Sequence, residues 1–420
     1  MKKLRYGLRC LCCAFLCLLL MGGYFSPQLR AIFQLPSTYY LTEGGKKTLS
    51  GLGVENISIE EGAAVRLSTD ERLADRQGVV LEPVETGASS ATIRLFGIPV
   101  RSIELRVLAK KSLLPGGQPV GIRLYTQGAL IVGTAQVISP GGQSASPAQE
   151  AGLRAGDVIL SVNGTEVESS DHLGELVAAS QGAVRLRCLR AGKTFDVNVL
   201  PRVDAQDGEK RLGLWARDST AGVGTLTFCD PETGRFGALG HAITDVDTHT
   251  NLMLRRGEVV RAEVVDVKAG VRGEPGELKG VFSSSGVLGS IEANTEYGIY
   301  GTLDAPLQNE LYPSGVEIAQ RSEVHLGRAE LLCTVGREGV GRYECRIIRL
   351  TPQSVAAPRG IVVEVTDPEL LQKTGGIVQG MSGSPILQDG KLVGAVTHVF
   401  VNDASKGYGM YIEWMLAAAG

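Results

Sequence analysis

The chain has 420 residues, more than one ordinary core organises at about 100–200 residues per domain, so two or three folded units are expected. Its 42 Lys and Arg against 45 Asp and Glu leave a net charge of −3, which argues against a nucleic-acid partner or a polyanionic substrate. With 55 glycines and only 5% aromatic residues, the composition suits many short strands joined by tight turns, and the bulk is expected to be β.

Lys2, Lys3, Arg5 and Arg9 precede an apolar run from Cys10 to Phe25, the pattern of a positive flank before a hydrophobic segment. The rest of the chain is therefore expected outside the cytoplasm. The run is short for a span of about 20 residues and is interrupted by Gly22 and Gly23, so a cleaved signal peptide competes with a retained anchor. No small-x-small cleavage site follows, and Tyr24 and Phe25 suit a membrane interface, which favours an anchor within residues 1–36. Cys10, Cys12, Cys13 and Cys17 serve there as small apolar residues. Cys188, Cys229, Cys333 and Cys345 lack the CxxC spacing of zinc or redox sites and read as buried thiols, with a Cys333 to Cys345 pair as the alternative.

Residues 37–114 alternate as strands do, in VRLST (65–69), TIRLF (92–96) and SIELRVL (102–108), and form a small β-rich region without catalytic groups. The Pro and Gly punctuation of KKSLLPGGQP (110–119) sets a boundary near 115. Residues 115–202 then resemble a PDZ domain over their whole length. The resemblance rests on AGLRAGDVILSVNGTEV (151–167), with a tight turn at Gly152 and Gly156 and an Asn163-Gly164 hairpin. Strand Ala129, Leu130, Ile131 and Val132 is expected to accept an added peptide strand, beside a helix carrying Leu173 and Leu176. Those leucines also suit the core of so small a domain. On these boundaries, removal of 120–200 should impair target selection more than peptide-bond chemistry.

From 203 to 420 strands follow one another with glycine-rich turns, as in a double-barrel protease domain. QGMSGSPI (379–386) supplies the chemistry. A serine hydroxyl needs a base to take its proton, and the oxyanion needs N–H donors in a tight turn. Ser382 is the expected nucleophile, the amides of Gly380 and Ser382 the oxyanion donors, and Gly383 the residue that keeps space open; Ser384 is the weaker rival. Of the five histidines, His241 in GALGHAITD (237–245) follows a hairpin strand at a Gly turn, as a base at a barrel rim should. His172 falls in the PDZ helix, His249 and His325 in loops, and His398 on the strand after the nucleophile, where a core role is expected. For a carboxylate to fix the imidazole, Asp245 and Asp247 are close in sequence but suit a water-facing loop, and Asp367 at the end of IVVEVTD ranks first.

The runs GVGTLTFCDPETGRFGALGHAITD (222–245), NTEYGIYG (294–301) and 365–416 resemble the stage IV sporulation protein B peptidase family, with membrane segment, β-rich lead, PDZ and protease in that order. The resemblance implies a mainly β, chymotrypsin-like serine endopeptidase of endospore-forming bacteria with His241, Asp367 and Ser382 as its triad. Asp367 rests mainly on this likeness. It further implies an enzyme made in the forespore that crosses its membrane and acts in the space between mother cell and forespore. There it would cut its own N-terminal region, in or near the polar stretch 37–61, and then a membrane-bound regulatory subunit that silences an intramembrane protease, so that a late sigma factor is processed. Its partners would be protein substrates, other copies of itself and the membrane. No metal or organic cofactor is called for. A non-catalytic PDZ scaffold is the first rival, disfavoured because Ser, His and Asp are all present. A general envelope quality-control protease is the second, disfavoured by the order of PDZ before protease.

Overall fold

In a computed structural model of the chain, residues 32, 35, 38–50, 57–59, 64–69, 78–95, 97–245, 247–248, 250–251, 253–353 and 355–419 are described. The expected anchor lies outside the described residues, apart from Ile32 and Leu35. Among the described residues no helix is long and apolar enough to cross a membrane. The chain divides into two compact units, 1–111 with 320–323, and 112–319 with 324–420.

The first unit holds two small sheets. One orders Thr38–Thr42, Ile98–Leu108, Gly87–Leu95 and Ile57–Ile59; the other orders Lys47–Ser50, Gly78–Pro83 and Val65–Thr69. Period-two alternation drives them: Ile103, Leu105 and Val107 are buried while Ser102, Arg106 and Leu108 between and beside them are exposed. The stretch 37–61, expected to be polar and open, is partly core instead. Tyr39, Leu41, Leu49 and Ile57 are all buried there, because its strands pair with distant segments whose register its own sequence does not reveal.

The second unit contains two six-stranded rings. Strands β1 (Pro119–Thr134), β2 (Leu214–Cys229), β3 (Arg235–Ala238), β4 (Leu254–Lys268), β5 (Glu277–Thr295) and β6 (Gly298–Leu303) pair in the order β1-β2-β3-β6-β5-β4 and back to β1. Strands β7 (Gly327–Cys333), β8 (Gly341–Leu350), β9 (Ile361–Val365), β10 (Pro385–Gln388), β11 (Lys391–Phe400) and β12 (Asp403–Tyr411) close into a barrel in the order β7-β8-β9-β12-β11-β10. The strand order is the same in both. Closure removes sheet edges, and each barrel fills with the inward residues of its strands, such as Val120, Ile122, Phe236 and Ile299 in the first and Leu331, Ile347, Val363 and Ile386 in the second. Helix α2 (Pro368–Thr374) follows β9, and helix α3 (Ile412–Ala419) ends the chain.

The PDZ region is inserted between β1 and β2. Thr134, where β1 ends, pairs with Leu214, where β2 begins, so 135–213 leave and re-enter the sheet at adjacent points. Strands Val158–Val162, Val184–Arg190 and Lys193–Val199 extend the sheet outward from β1, and helix α1 (Ser170–Ala178) packs Leu173 and Val177 into their core. Residues 119–134, read from sequence as PDZ, also build the first barrel: 119–125 lie between β2 and β4. A 16-residue strand alternates alike at both ends, and nothing in its sequence marks where its neighbours change. Removal of 120–200 would therefore take out a barrel strand.

Candidate active site

Ser382 and His241 lie on the same connection of the two barrels, the one between third and fourth strands. In the second barrel β9 is followed by Asp367, whose side chain caps α2 by accepting from the amides of Glu369 and Leu370 at 3.0 Å each. Gly375 ends that helix in a left-handed conformation, and the chain turns into 376–384. In the first barrel the turn after β3 puts two successive residues at positive φ, Leu239 at 68° and Gly240 at 70°, immediately before His241. A leucine in that region is strained, and such strain collects at functional sites.

Thr225 of β2 joins the two loops. Its amide donates to the Ser382 carbonyl at 3.1 Å, its hydroxyl donates to the Gly380 carbonyl at 2.7 Å, and its carbonyl accepts from the Leu239 amide at 3.3 Å. Thr227 adds a bond from its hydroxyl to the Gly383 carbonyl at 2.7 Å. Gly383 was expected to keep space open, but it permits close approach: a Cβ there would stand 2.1 Å from the Thr225 carbonyl oxygen and 2.5 Å from the Leu239 amide nitrogen. The serine and histidine loops are thus packed backbone to backbone.

The Ser382 hydroxyl donates to the Thr397 carbonyl at 2.9 Å. The next residue, His398, sets its ring 5.1 Å from that of His241, centroid to centroid. His241 and His398 therefore stand together, and Ser382 bonds the residue that precedes His398. The amides of Gly380 and Ser382 make no hydrogen bond among the described residues, whereas the Gly383 amide is taken by Val396. The rival Ser384 is fully buried, its hydroxyl without a partner among the described residues.

His241 Nδ1 lies 2.8 Å from the Ala242 carbonyl oxygen. A carbonyl only accepts, so Nδ1 carries the proton and Nε2 keeps the lone pair that a general base requires. Burial pushes the His241 pKa below its ordinary value, partly offset by that bond. Burial, with the neighbouring His241 and Arg359 adding to it, pushes His398 down to about 4, so both rings are neutral at pH 7. His398 was expected in a core role; its ring stands beside that of His241, with Nδ1 buried and unpartnered among the described residues.

Asp367 is not brought to His241. Its carboxylate accepts from Glu344, Glu369 and Leu370 amides and makes no bond to either histidine. A strand-end aspartate before proline signals a helix cap as strongly as a triad member, and here the cap is what is built. Asp245, expected to face water, is fully buried. Its Oδ1 accepts from the Thr248 amide and hydroxyl and the Asp247 amide, its Oδ2 from Arg217 at 2.7 Å. Burial raises its pKa, but these bonds outweigh burial and hold it below 3.8. The exposed Asp247 meets the same arginine at 2.9 Å. His172 lies in α1, His325 pairs with Asp389 at 2.8 Å, and His249 lies outside the described residues.

The expected peptide-accepting strand is also corrected. Ala129 and Leu130 pair with Ile159 and Val158 on one side, while Leu130 and Ile131 pair with Arg217 and Ala216 on the other. Ala129, Leu130 and Ile131 are buried, and Val132 packs against the first barrel's core, so this strand has no free edge. The free edge belongs to Leu214–Arg217 of β2, which no other strand pairs among the described residues. Asp218 ties that segment to α1 by accepting from the Ser170 amide at 2.8 Å. Leu173 is core, and Leu176 is half-buried against the core that Leu214 and Ala216 also join. The sequence signal for this edge was RLGLW (211–215), an apolar run after a glycine that recedes beside the hairpin that follows it.

Cys188, Cys229, Cys333 and Cys345 are free and buried. Cys333 stands opposite Gly341 and Cys345 opposite Ala329, so the expected alternative of a pair is not formed. Burial pushes Cys345 up to about 12, leaving an inert thiol.

Ser382 and His241 thus stand on corresponding connections of two six-stranded rings of the same strand order. Residues 208–416 match the family described as SpoIVB peptidase S55, and residues 139–190 match a PDZ domain. The chain belongs to the SpoIVB peptidase S55 family and carries a PDZ domain. Among curated proteins it is 32% identical over 154 residues to a probable periplasmic serine endoprotease DegP-like of Pseudomonas putida, covering 36% of this chain and 28% of that protein. It is 31% identical over 105 residues to a putative zinc metalloprotease LL2128 of Lactococcus lactis, covering 25% and 23%. The chain thus spans less than a third of the length of these curated relatives. Similar solved structures include the Rv3671c protease from M. tuberculosis in its active form, at TM-score 0.27 and 16% identity over 48% of this chain and 75% of that one. The HtrA-type protease AlgW with a decapeptide is similar at TM-score 0.28 and 10% identity, over 51% and 57%.

Proposed function

We propose that the chain is an endopeptidase in which Ser382 attacks the scissile carbonyl, His241 Nε2 takes the hydroxyl proton and returns it to the leaving amine, and the Gly380 and Ser382 amides hold the oxyanion. The observation that carries this reading is Thr225, whose backbone binds both the nucleophile loop and the histidine turn. In the resting arrangement the Ser382 hydroxyl points to Thr397, and rotation about its χ1 turns it toward the base.

In our reading the protease is tethered by its N-terminal segment and works in the space between mother cell and forespore. It cleaves itself and then a membrane-bound regulator of an intramembrane protease, which starts late sigma-factor activation. Family membership supports this placement. The PDZ edge Leu214–Arg217 docks an extended segment of the target or of another copy by adding it as a strand. The test is Ser382→Ala in the full chain, with fragment sizes followed over time. Loss of both self-cleavage and target cleavage in a folded chain is expected. Fragments like those of the unmodified protein would remove Ser382 from the role.

A further inference from the structure

Among the described residues no carboxylate bonds His241, yet its tautomer is fixed, and the fixing passes through a single peptide group. His241 Nδ1–H donates to the Ala242 carbonyl. The same peptide's N–H belongs to Ile243, and it donates to Asn294 Oδ1 at 2.8 Å, while Asn294 Nδ2 donates to the Ile243 carbonyl at 2.9 Å. The opposed donor and acceptor of Ile243 set the amide orientation, because a flipped Asn294 would face N–H with NH₂ and oxygen with oxygen. Asn294 is itself held firmly. It lies on β5, pairs with Ile299 of β6, and precedes a turn in which Thr295 Oγ donates to the Gly298 carbonyl and accepts from the Tyr297 amide. This β5–β6 end lies in the first barrel where the β11–β12 end, with His398, lies in the second.

We propose that Asn294 is the positioning residue of His241, acting through the Ala242–Ile243 peptide. Engaging the Ile243 N–H fixes the plane of that peptide and polarises its carbonyl, which strengthens the bond that keeps Nδ1 protonated and Nε2 free. The arrangement orients the imidazole as a buried aspartate would, without placing a full negative charge beside the imidazolium. The proposal rests on the reading of Ser382 and His241 as nucleophile and base. NTEYGIYG (294–301) thereby gains a function for its first residue.

The experiment measures the rate at which a fluorophosphonate probe labels Ser382 in the full chain, as a function of pH, for the unmodified protein, Asn294→Ala, Asn294→Asp and Ser382→Ala. His398 and, beyond it, Arg359 are the titratable and charged neighbours of His241, so His398→Gln is carried alongside to assign the acid limb. Asn294→Ala should label about 10- to 100-fold more slowly, a part of the roughly 10²–10⁴-fold that a well-placed general base contributes. Asn294→Asp keeps an acceptor for the Ile243 N–H and adds negative charge, so it should recover part of the rate and move the acid limb to higher pH. Nitrogen NMR of the imidazole should show His241 protonated at Nδ1 in the unmodified protein and a tautomer mixture in Asn294→Ala. Labelling of Asn294→Ala within twofold of the unmodified rate overturns the proposal, as does Asn294→Asp that is no faster than Ala with an unmoved limb. Should Asn294→Ala not fold, the rate and limb of Asn294→Asp decide alone. Persistent labelling of Ser382→Ala instead overturns the underlying reading and is seen without any Asn294 variant.

Discussion

Arg217 and Asp245 meet at 2.7 Å although they serve different parts of the molecule. Arg217 is on the free edge of β2 beside the PDZ helix, and Asp245 is buried in the loop that carries His241. Substitution of Arg217 by Ala leaves that carboxylate with only its Thr248 and Asp247 donors, at a cost of about 1–3 kcal/mol. Denaturant unfolding should show this loss, and fluorophosphonate labelling should slow as the histidine loop loosens. An unchanged midpoint and rate would show the ion pair to be idle.

Asp245 also predicts an acid sensitivity. Its folded pKa is depressed below 3.8, so it contributes stability that is full above that value and is lost as pH falls through the lower folded pKa. Asp245→Asn should lack that part of the acid transition in unfolding followed below about pH 4.

His398 has the opposite sign of linkage from a salt-bridged histidine. Its folded pKa of about 4 lies under the ordinary 6.5, so between those values the unfolded chain binds the extra proton and stability declines as pH falls. His398→Gln should flatten the stability profile across that window. The pH–rate acid limb, set by His241, should lie below 6.5, since burial lowers that pKa too.

For Asp367, two substitutions separate capping from catalysis. Ala removes the acceptor for Glu369 and Leu370 amides and should cost about 0.5–2 kcal/mol, whereas Asn still caps. Asn should therefore retain stability and most of the labelling rate. If Asn is as damaging as Ala to the rate while leaving stability intact, the carboxylate charge matters to the chemistry and the helix-cap account is insufficient.

Excision tests the insertion of the PDZ region. Residues 136–212 replaced by a short turn should leave β1 and β2 as a hairpin, since Thr134 and Leu214 are already paired. That variant should fold and label with the probe, whereas one lacking 120–200 should do neither, as judged by circular dichroism and labelling.

Much of this was legible in the residues. GMSGSP and LGHAITD were singled out because serine chemistry needs glycine turns and a rim histidine, and the structure brings both loops to Thr225. The carboxylate was not legible. Aspartate at 367 satisfies either a cap or a triad in one dimension, and only the α2 amides decide which. The peptide edge was misplaced for a related reason: ALIVG reads as a strand whatever flanks it, and its second partner lies about 85 residues further on in β2.

The continuity of β2 makes it a ruler. Arg217 and Thr225 are eight residues apart on one strand, at most about 26 Å at about 3.3 Å per residue, with an irregularity in the pairing between Arg217 and Ser219. On the docking and cleavage proposed above, a polypeptide must bring roughly that length of extended chain between the Leu214–Arg217 edge and Ser382. Fusions that shorten the spacer should be gripped and left whole.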